Sequence, residues 1–316
     1  MSFTRRISVA VLACITLSPL AAMSAETYPS RPITIVVPYG AGGTTDISAR
    51  QMATMAEKLL GQPIVVENMP GASGTNAMRK VAAAKADGYT LIATTSSPSF
   101  VTPALRDVGY DTLADFTPIM NYSGPFHGVV VPSDSPYQSL DDLIKGAKSG
   151  AVTYGTAGAM GGAHLAFASV AKETGARLQH VPFDGASKAT AAVLGKHVNA
   201  ALVPAYRDLV KDGQLRLLAV LDGTKDPDFP NAPTLKEAGL SAEFPSIVGF
   251  LAPDGTDPAI VGKLEKVFTQ VASSEEFKVF MNGLSQPVRI MSGADLAKTI
   301  EANLKAYRVI AKELGN

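Results

Sequence analysis

The sequence predicts an α/β protein of two lobes, each a mainly parallel sheet flanked by helices. Three observations predict it. Short β-branched runs alternate with helical patterns in the order β-α-β-α-β, an order that calls for parallel strands joined by crossover helices. The pattern occurs twice, once before Ser97 and once after Gly150. Glycine turns follow the strands in both occurrences: Gly71-Ala72-Ser73 and Gly185-Ala186-Ser187 hold matching places, 185 − 71 = 114 residues apart. Coincidence between two ordinary α/β units is the alternative to a repeat.

The first unit opens with Ile33–Val37, Ile-Thr-Ile-Val-Val, a composition suited to a buried strand. Pro38 and the glycines at 40, 42 and 43 end it. Asp46 is expected as the N-cap of a helix, since its carboxylate can accept a free helix N–H. Met52, Met55, Ala56 and Leu59 then recur at helical spacing, and Gly61 and Pro63 stop the helix. Ile64–Glu67 is the second strand. The turn Gly71–Gly74 feeds a helix through about Lys85, and Thr90–Thr95 is the third strand, with Ser96 and Ser97 at its end. In parallel sheets ligands collect at the carboxyl ends of strands, where both Gly42–Asp46 and Ser96–Ser99 fall.

The second unit begins with a strand at 151–154 and a glycine turn from Gly155 to Gly162. A helix runs from His164 to Glu173, a strand follows at 177–182, and Phe183-Asp184-Gly185 turns into a helix through about Leu194. Residues 199–203 form the next strand. Phe126–Val131 and Val248–Ala252 are apolar segments that read as crossing strands between lobes. Asp257-Pro258 starts a helix carrying Leu264, Val267 and Phe268. Ser292 and Asp295 have capping-box spacing for a last helix with Leu296, Ile300, Leu304 and Tyr307.

Residues 1–25 read as a signal peptide: Arg5 and Arg6, an apolar stretch Ile7–Leu20, then small residues before a cleavage site near Ala25. Removal leaves 316 − 25 = 291 residues, natural for two lobes. It also removes Cys14, the only cysteine, so disulfides, thiolate catalysis and cysteine ligation are excluded from the mature chain. A cysteine-free exported protein suits a bacterial periplasm. The 28 basic and 28 acidic residues become 26 against 28, and no basic patch stands out, so nucleic acid is not expected as a partner.

The loop Gly40–Asp46 has three readings. A dinucleotide fingerprint would need its third glycine where Thr45 stands, so no nicotinamide cofactor is expected. A plain turn with a capping Asp46 is the second. The third, which we favour, is a socket for a carboxylate or phosphate, made by glycines and a helix N-terminus. No Lys-Ser/Thr follows, which excludes a nucleotide P-loop. Ser169-x-x-Lys172 sits mid-helix without its partner motifs, and Ser73 lacks the closing glycine of a nucleophile elbow. None of His127, His164, His180 and His197 has metal-ligand spacing to another. His164 follows a glycine turn and is either a ligand donor or a structural histidine. Several glycine turns at one edge, with no catalytic set, predict binding without chemistry, a non-enzyme without cofactor or metal.

The chain resembles the solute-binding proteins of tripartite tricarboxylate transporters, the Bug-type proteins. The resemblance rests on Tyr28-Pro29 with Pro32-Ile33, Val37-Pro38-Tyr39 with Gly42-Gly43-Thr44-Thr45-Asp46, Val66-Glu67-Asn68 with Pro70-Gly71, Asp87-Gly88-Tyr89, Tyr154-Gly155-Thr156 with His164-Leu165, Val181-Pro182-Phe183, and Leu251–Thr256. These stretches occur in order over essentially the whole mature chain. The resemblance implies a type II-like Venus-flytrap fold of the periplasmic binding proteins. Residues 26–125 plus 251–316 would form one lobe and 126–250 the other. It further implies a monomer that captures a small organic acid for a two-component integral membrane permease. Carried over by position, Tyr39 and Gly42, Gly43, Thr44, Thr45 and Asp46 would hold a carboxylate, with Ser96 and Ser97 beside them. Thr156, Ala157, Gly158 and His164 would face them, with Phe183, Asp184 and Gly185 adjacent. Family members often carry glycine then serines where this chain has Met160, Gly161, Gly162 and Ala163, which implies a less polar pocket here. An acid, Asp184, stands where a basic residue is common. Tryptophan, frequent in the family near Phe244–Gly249 and at Tyr307, is absent. An exported hydrolase, or a binding protein feeding a sensor kinase, are the alternatives.

Overall fold

The computed structural model describes residues 28–313 apart from 184, 205 and 285. The expected signal peptide and Asp184 therefore lie outside the described residues. Eleven strands run β1 (Ile33–Val37), β2 (Ile64–Asn68), β3 (Thr90–Thr95), β4 (Phe116–Ser123), β5 (Gly128–Pro132), β6 (Val152–Thr156), β7 (Leu178–Pro182), β8 (Ala200–Val203), β9 (Leu215–Val220), β10 (Val248–Pro253) and β11 (Val288–Ser292) among the described residues. The helices are α1 (Thr44–Leu60), α2 (Thr75–Ala82), α3 (Thr102–Leu105), α4 (Leu140–Ser149), α5 (Gly162–Thr174), α6 (Ala186–Leu194), α7 (Arg207–Lys211), α8 (Pro258–Ser273), α9 (Glu275–Gly283) and α10 (Gly293–Glu313).

Two sheets organise the chain, in the orders β11-β4-β10-β3-β1-β2 and β7-β6-β8-β5-β9. In the first, β1 pairs in parallel with β2 and β3, while β10 lies antiparallel between β3 and β4. In the second, β6 is parallel to β7 and β8, and β5 lies antiparallel between β8 and β9. The sheets are thus mixed rather than mainly parallel. The crossover units read from sequence make only the parallel half of each; strands that return from the other sheet complete them. The chain passes from the first sheet to the second after β4 and comes back before β10. The two crossings touch: a Cβ on Gly124 would collide with the Ser246 carbonyl.

Packing follows the pattern of the sequence. Ile33, Ile35 and Val37 of β1 bury against Met52, Ala53 and Ala56 of α1, with Leu264 and Phe268 of α8 in the same core. Tyr122 closes that core, its hydroxyl 2.9 Å from Ser48 Oγ. Asp257 caps α8 by accepting the Ala259 N–H, and Pro258 occupies a first-turn position where no N–H is missed. Helix α2 ends at Ala82, short of the expected Lys85.

Candidate functional site

The carboxyl ends of β1 and β3 face the glycine loop after β6 across a cleft of about 570 Å³, a size usual for small-molecule sites. On the first side the chain leaves β1, turns through Gly42 in a left-handed conformation (φ +81°) and enters α1 at Thr44. Glycine is required there because a side chain at that φ is strained. Gly43 is the N-cap and Asp46 lies in the first turn, which corrects the expectation that Asp46 begins the helix. From that position its carboxylate reaches back, as acids three residues past a cap do. It accepts Gly42 N–H (2.9 Å), Arg50 Nε (2.9 Å) and Asn68 Nδ2 (2.9 Å). Burial would raise its pKa, but the Arg50, Gly42 and Asn68 hydrogen bonds outweigh burial and hold the carboxyl below the usual range. Asn68 also donates to the Tyr39 carbonyl at 3.0 Å, and the Tyr39 hydroxyl lies 2.6 Å from Thr95 Oγ1. Asp46 is thus the clamp that ties the loop to β2. The helix leaves its first-turn amides, those of Thr44 and Thr45, without intrahelical partners.

On the opposite side Thr156 ends β6. Its hydroxyl donates to the Gly158 carbonyl (2.8 Å) and lies 2.8 Å from His180 Nε2. His180 stacks on His164 with ring centres 3.8 Å apart, and His164 Nδ1 accepts the Met160 N–H. Burial, then the neighbouring His164, pushes His180 from its ordinary 6.5 down to about 4. Both rings are therefore neutral near pH 7. Because the unfolded chain binds protons that these folded imidazoles refuse, stability is expected to fall as pH drops from 6.5 toward 4, and to be free of this contribution above 6.5. Melting temperatures from pH 7.5 to 4 check it; His180→Gln should show a shallower slope than the parent.

Tyr39, Gly43, Thr44, Thr45, Ser96, Ser97, Thr156, Ala157, Gly158 and His164 line the cleft together. Gly42 and Asp46 do not; their polar atoms serve the loop itself. Phe183 and Gly185 do not line it either, because the Phe183 ring packs on Gly155 and Gly185 caps α6, leaving Ala186 at the wall. The Ser96 hydroxyl accepts Ile247 N–H at 2.9 Å and donates to the Pro245 carbonyl, so it stitches β3 to the returning crossing. Sequence reasoning missed the crossing residues His127, Phe244 and Ser246, and Gln286 between α9 and β11. The apolar run from Phe126 marked the segment holding His127, but nothing in the sequence marked Gln286. Among the described residues no cluster of three or more His, Asp or Glu side chains is placed to hold a metal.

Two α/β lobes joined by paired crossings, with a cleft at the strand ends between them, define the fold of a periplasmic binding protein. Comparison with known proteins narrows this. The profile of the tripartite tricarboxylate transporter family receptor, TctC, matches residues 48–316, and the chain belongs to that family. BugT of Bordetella pertussis is 33% identical over 283 residues, covering 87% of this chain and 86% of BugT. A ligand-free TctC solute-binding protein from Polaromonas superposes with a TM-score of 0.82 at 29% identity, over 91% of this chain and all (100%) of that one. An R. palustris protein with adipate gives 0.77 at 30% identity, over 90% and 97%.

Proposed function

We propose that the protein is a periplasmic receptor that traps a small organic acid and delivers it, as a monomer, to a two-component integral membrane permease. Residues 1–25 direct export and are cleaved near Ala25. Residues 26–125 with 251–316 make one lobe and 126–250 the other, and closure between them buries the ligand. The observation that carries the reading is the open N-terminus of α1, whose first residues line the cleft at the end of β1. Amides and partial positive charge at such an end suit a carboxylate. Gly43, Thr44 and Thr45 hold it; Ser96 and Ser97 flank it; Thr156, Ala157, Gly158 and His164 close over it. Adipate in a family neighbour supports the ligand class. Membership of a family of transporter receptors, and likeness to a TctC solute-binding protein, support binding without turnover.

The test is a thermal-shift panel of mono-, di- and tricarboxylates, amino acids and sugars on the mature protein. A ligand at a hundredfold excess over its Kd adds about 2.7 kcal/mol of stability. Selective stabilisation by an acid is expected; stabilisation by sugars or amino acids alone, or by nothing, refutes the reading.

A further inference from the structure

The two walls of the cleft differ in chemistry. The wall on the first sheet carries hydroxyls at Thr44, Thr45, Ser73, Ser96 and Ser97, besides the first-turn amides of α1. The wall on the second sheet carries Ala157, Gly162, Ala163, Ala186, Leu202 and Pro204; of its polar side chains, the Thr156 hydroxyl is engaged by the Gly158 carbonyl and His180, and His164 Nδ1 accepts the Met160 N–H. Among the described residues, the lining contains neither lysine nor arginine. Helix α5 also brings its N-terminus to the cleft, and Phe244 covers part of that end. The buried Phe244 ring lies directly on Gly162, where any Cβ would collide with ring carbons. His127 meets Phe244 edge-on at 4.9 Å. Burial holds His127 neutral, its pKa pushed down to about 4. A second carboxylate sent to this side would shed water against a mostly apolar wall whose only described side-chain donors are neutral, with no lysine or arginine to compensate.

We propose that the cleft selects a carboxylate with one negative charge and a flat apolar body, the acid group seated at the α1 N-terminus and the body lying against Phe244. This rests on the carboxylate reading above and names its substrate class. Phe244 is then the specificity-determining residue, and Gly162 is the small residue that lets its ring lie where it does. Aromatic contacts of this kind favour a matching ring by about tenfold in affinity over what area alone gives.

Calorimetric titration of the mature protein with benzoate, adipate, propionate and benzamide tests it. Benzoate is expected to bind at least about tenfold tighter than adipate or benzamide. Phe244→Ala should weaken benzoate about tenfold while changing propionate less than about twofold. Phe244→Leu, which keeps an apolar group over Gly162, should fall between; it is read alone if the alanine variant does not fold. Adipate binding as tightly as benzoate, or equal losses of benzoate and propionate in the variant read, would overturn the proposal while leaving the carboxylate reading intact. Silence from every acid would overturn both.

Discussion

Gly43→Val is expected to weaken carboxylate binding by at least about 100-fold, because it removes charge-assisted hydrogen bonds worth roughly 1.5–3 kcal/mol each. The effect depends on the local backbone. Gly43 has φ −75° and ψ 160°, extended values that valine adopts readily. A Cβ there would meet only the Gly40 carbonyl oxygen, at 3.4 Å. The branched side chain therefore fits the fold and fills the space before the Thr44 and Thr45 amides. Titration calorimetry reads the affinity, and the melting temperature should move by no more than a few degrees. Unchanged affinity in a folded variant would place the acid group elsewhere. Gly42 is the contrasting neighbour. Its left-handed φ of +81° makes Gly42→Val a strained substitution that damages the loop itself, so its effect on binding would carry no information about the socket.

The second large effect concerns stability. Asp226 is fully buried, at 0% exposure. Its carboxylate accepts Tyr206 OH (2.6 Å), Arg207 Nε (2.9 Å) and Arg207 Nη2 (2.7 Å), and also the Asp228 N–H at 3.0 Å. Removing it leaves a mostly buried guanidinium and a buried phenol short of their partner. Asp226→Ala should cost about 3–5 kcal/mol, or roughly 10 °C in melting temperature for a protein of this size. Chemical and thermal denaturation measure it. A loss below about 1 kcal/mol would mean that the network's attraction only offsets the desolvation of its members. Because Asp226 is no part of the cleft lining, ligand affinity of the folded fraction should stay within about twofold.

Much of the parallel core was readable because its signals are local. Strands β1 and β3 fall where the β-branched runs end against glycine or serine, and their bounds match the expectation. Strand β11 was not read: its residues are mostly half-buried and carry Arg289, so neither alternation nor a continuous apolar run announces it. Strands β4 and β9 were likewise passed over, whereas the apolar run Val248–Ala252 announced β10 as a crossing strand. In the site, the loops that directly follow strands were found, since strand ends predict them. Asp46 is given to the ligand by position in the family resemblance. What turns it away is Asn68, 22 residues on, together with Arg50. Phe244 reaches the cleft only because the returning crossing passes it, and its ring position is set by Gly162, a long-range pairing that no local pattern encodes.

The central place of β10 in the first sheet has a consequence for the order of synthesis. Val248 pairs with Thr95, 248 − 95 = 153 residues earlier, and β10 also pairs with β4 on its other side. As the chain emerges, β3 and β4 are complete long before the strand that must lie between them exists. The intervening residues can assemble the second sheet as a unit, while β3 and β4 of the first sheet wait with the edges that β10 will join unsatisfied. Such non-local pairing slows folding and prolongs exposure of strand edges to other chains. The slow step in acquiring the native state should therefore be insertion of β10, with the second sheet already formed; refolding followed by hydrogen exchange would see β5, β6 and β8 protected before β3 and β4.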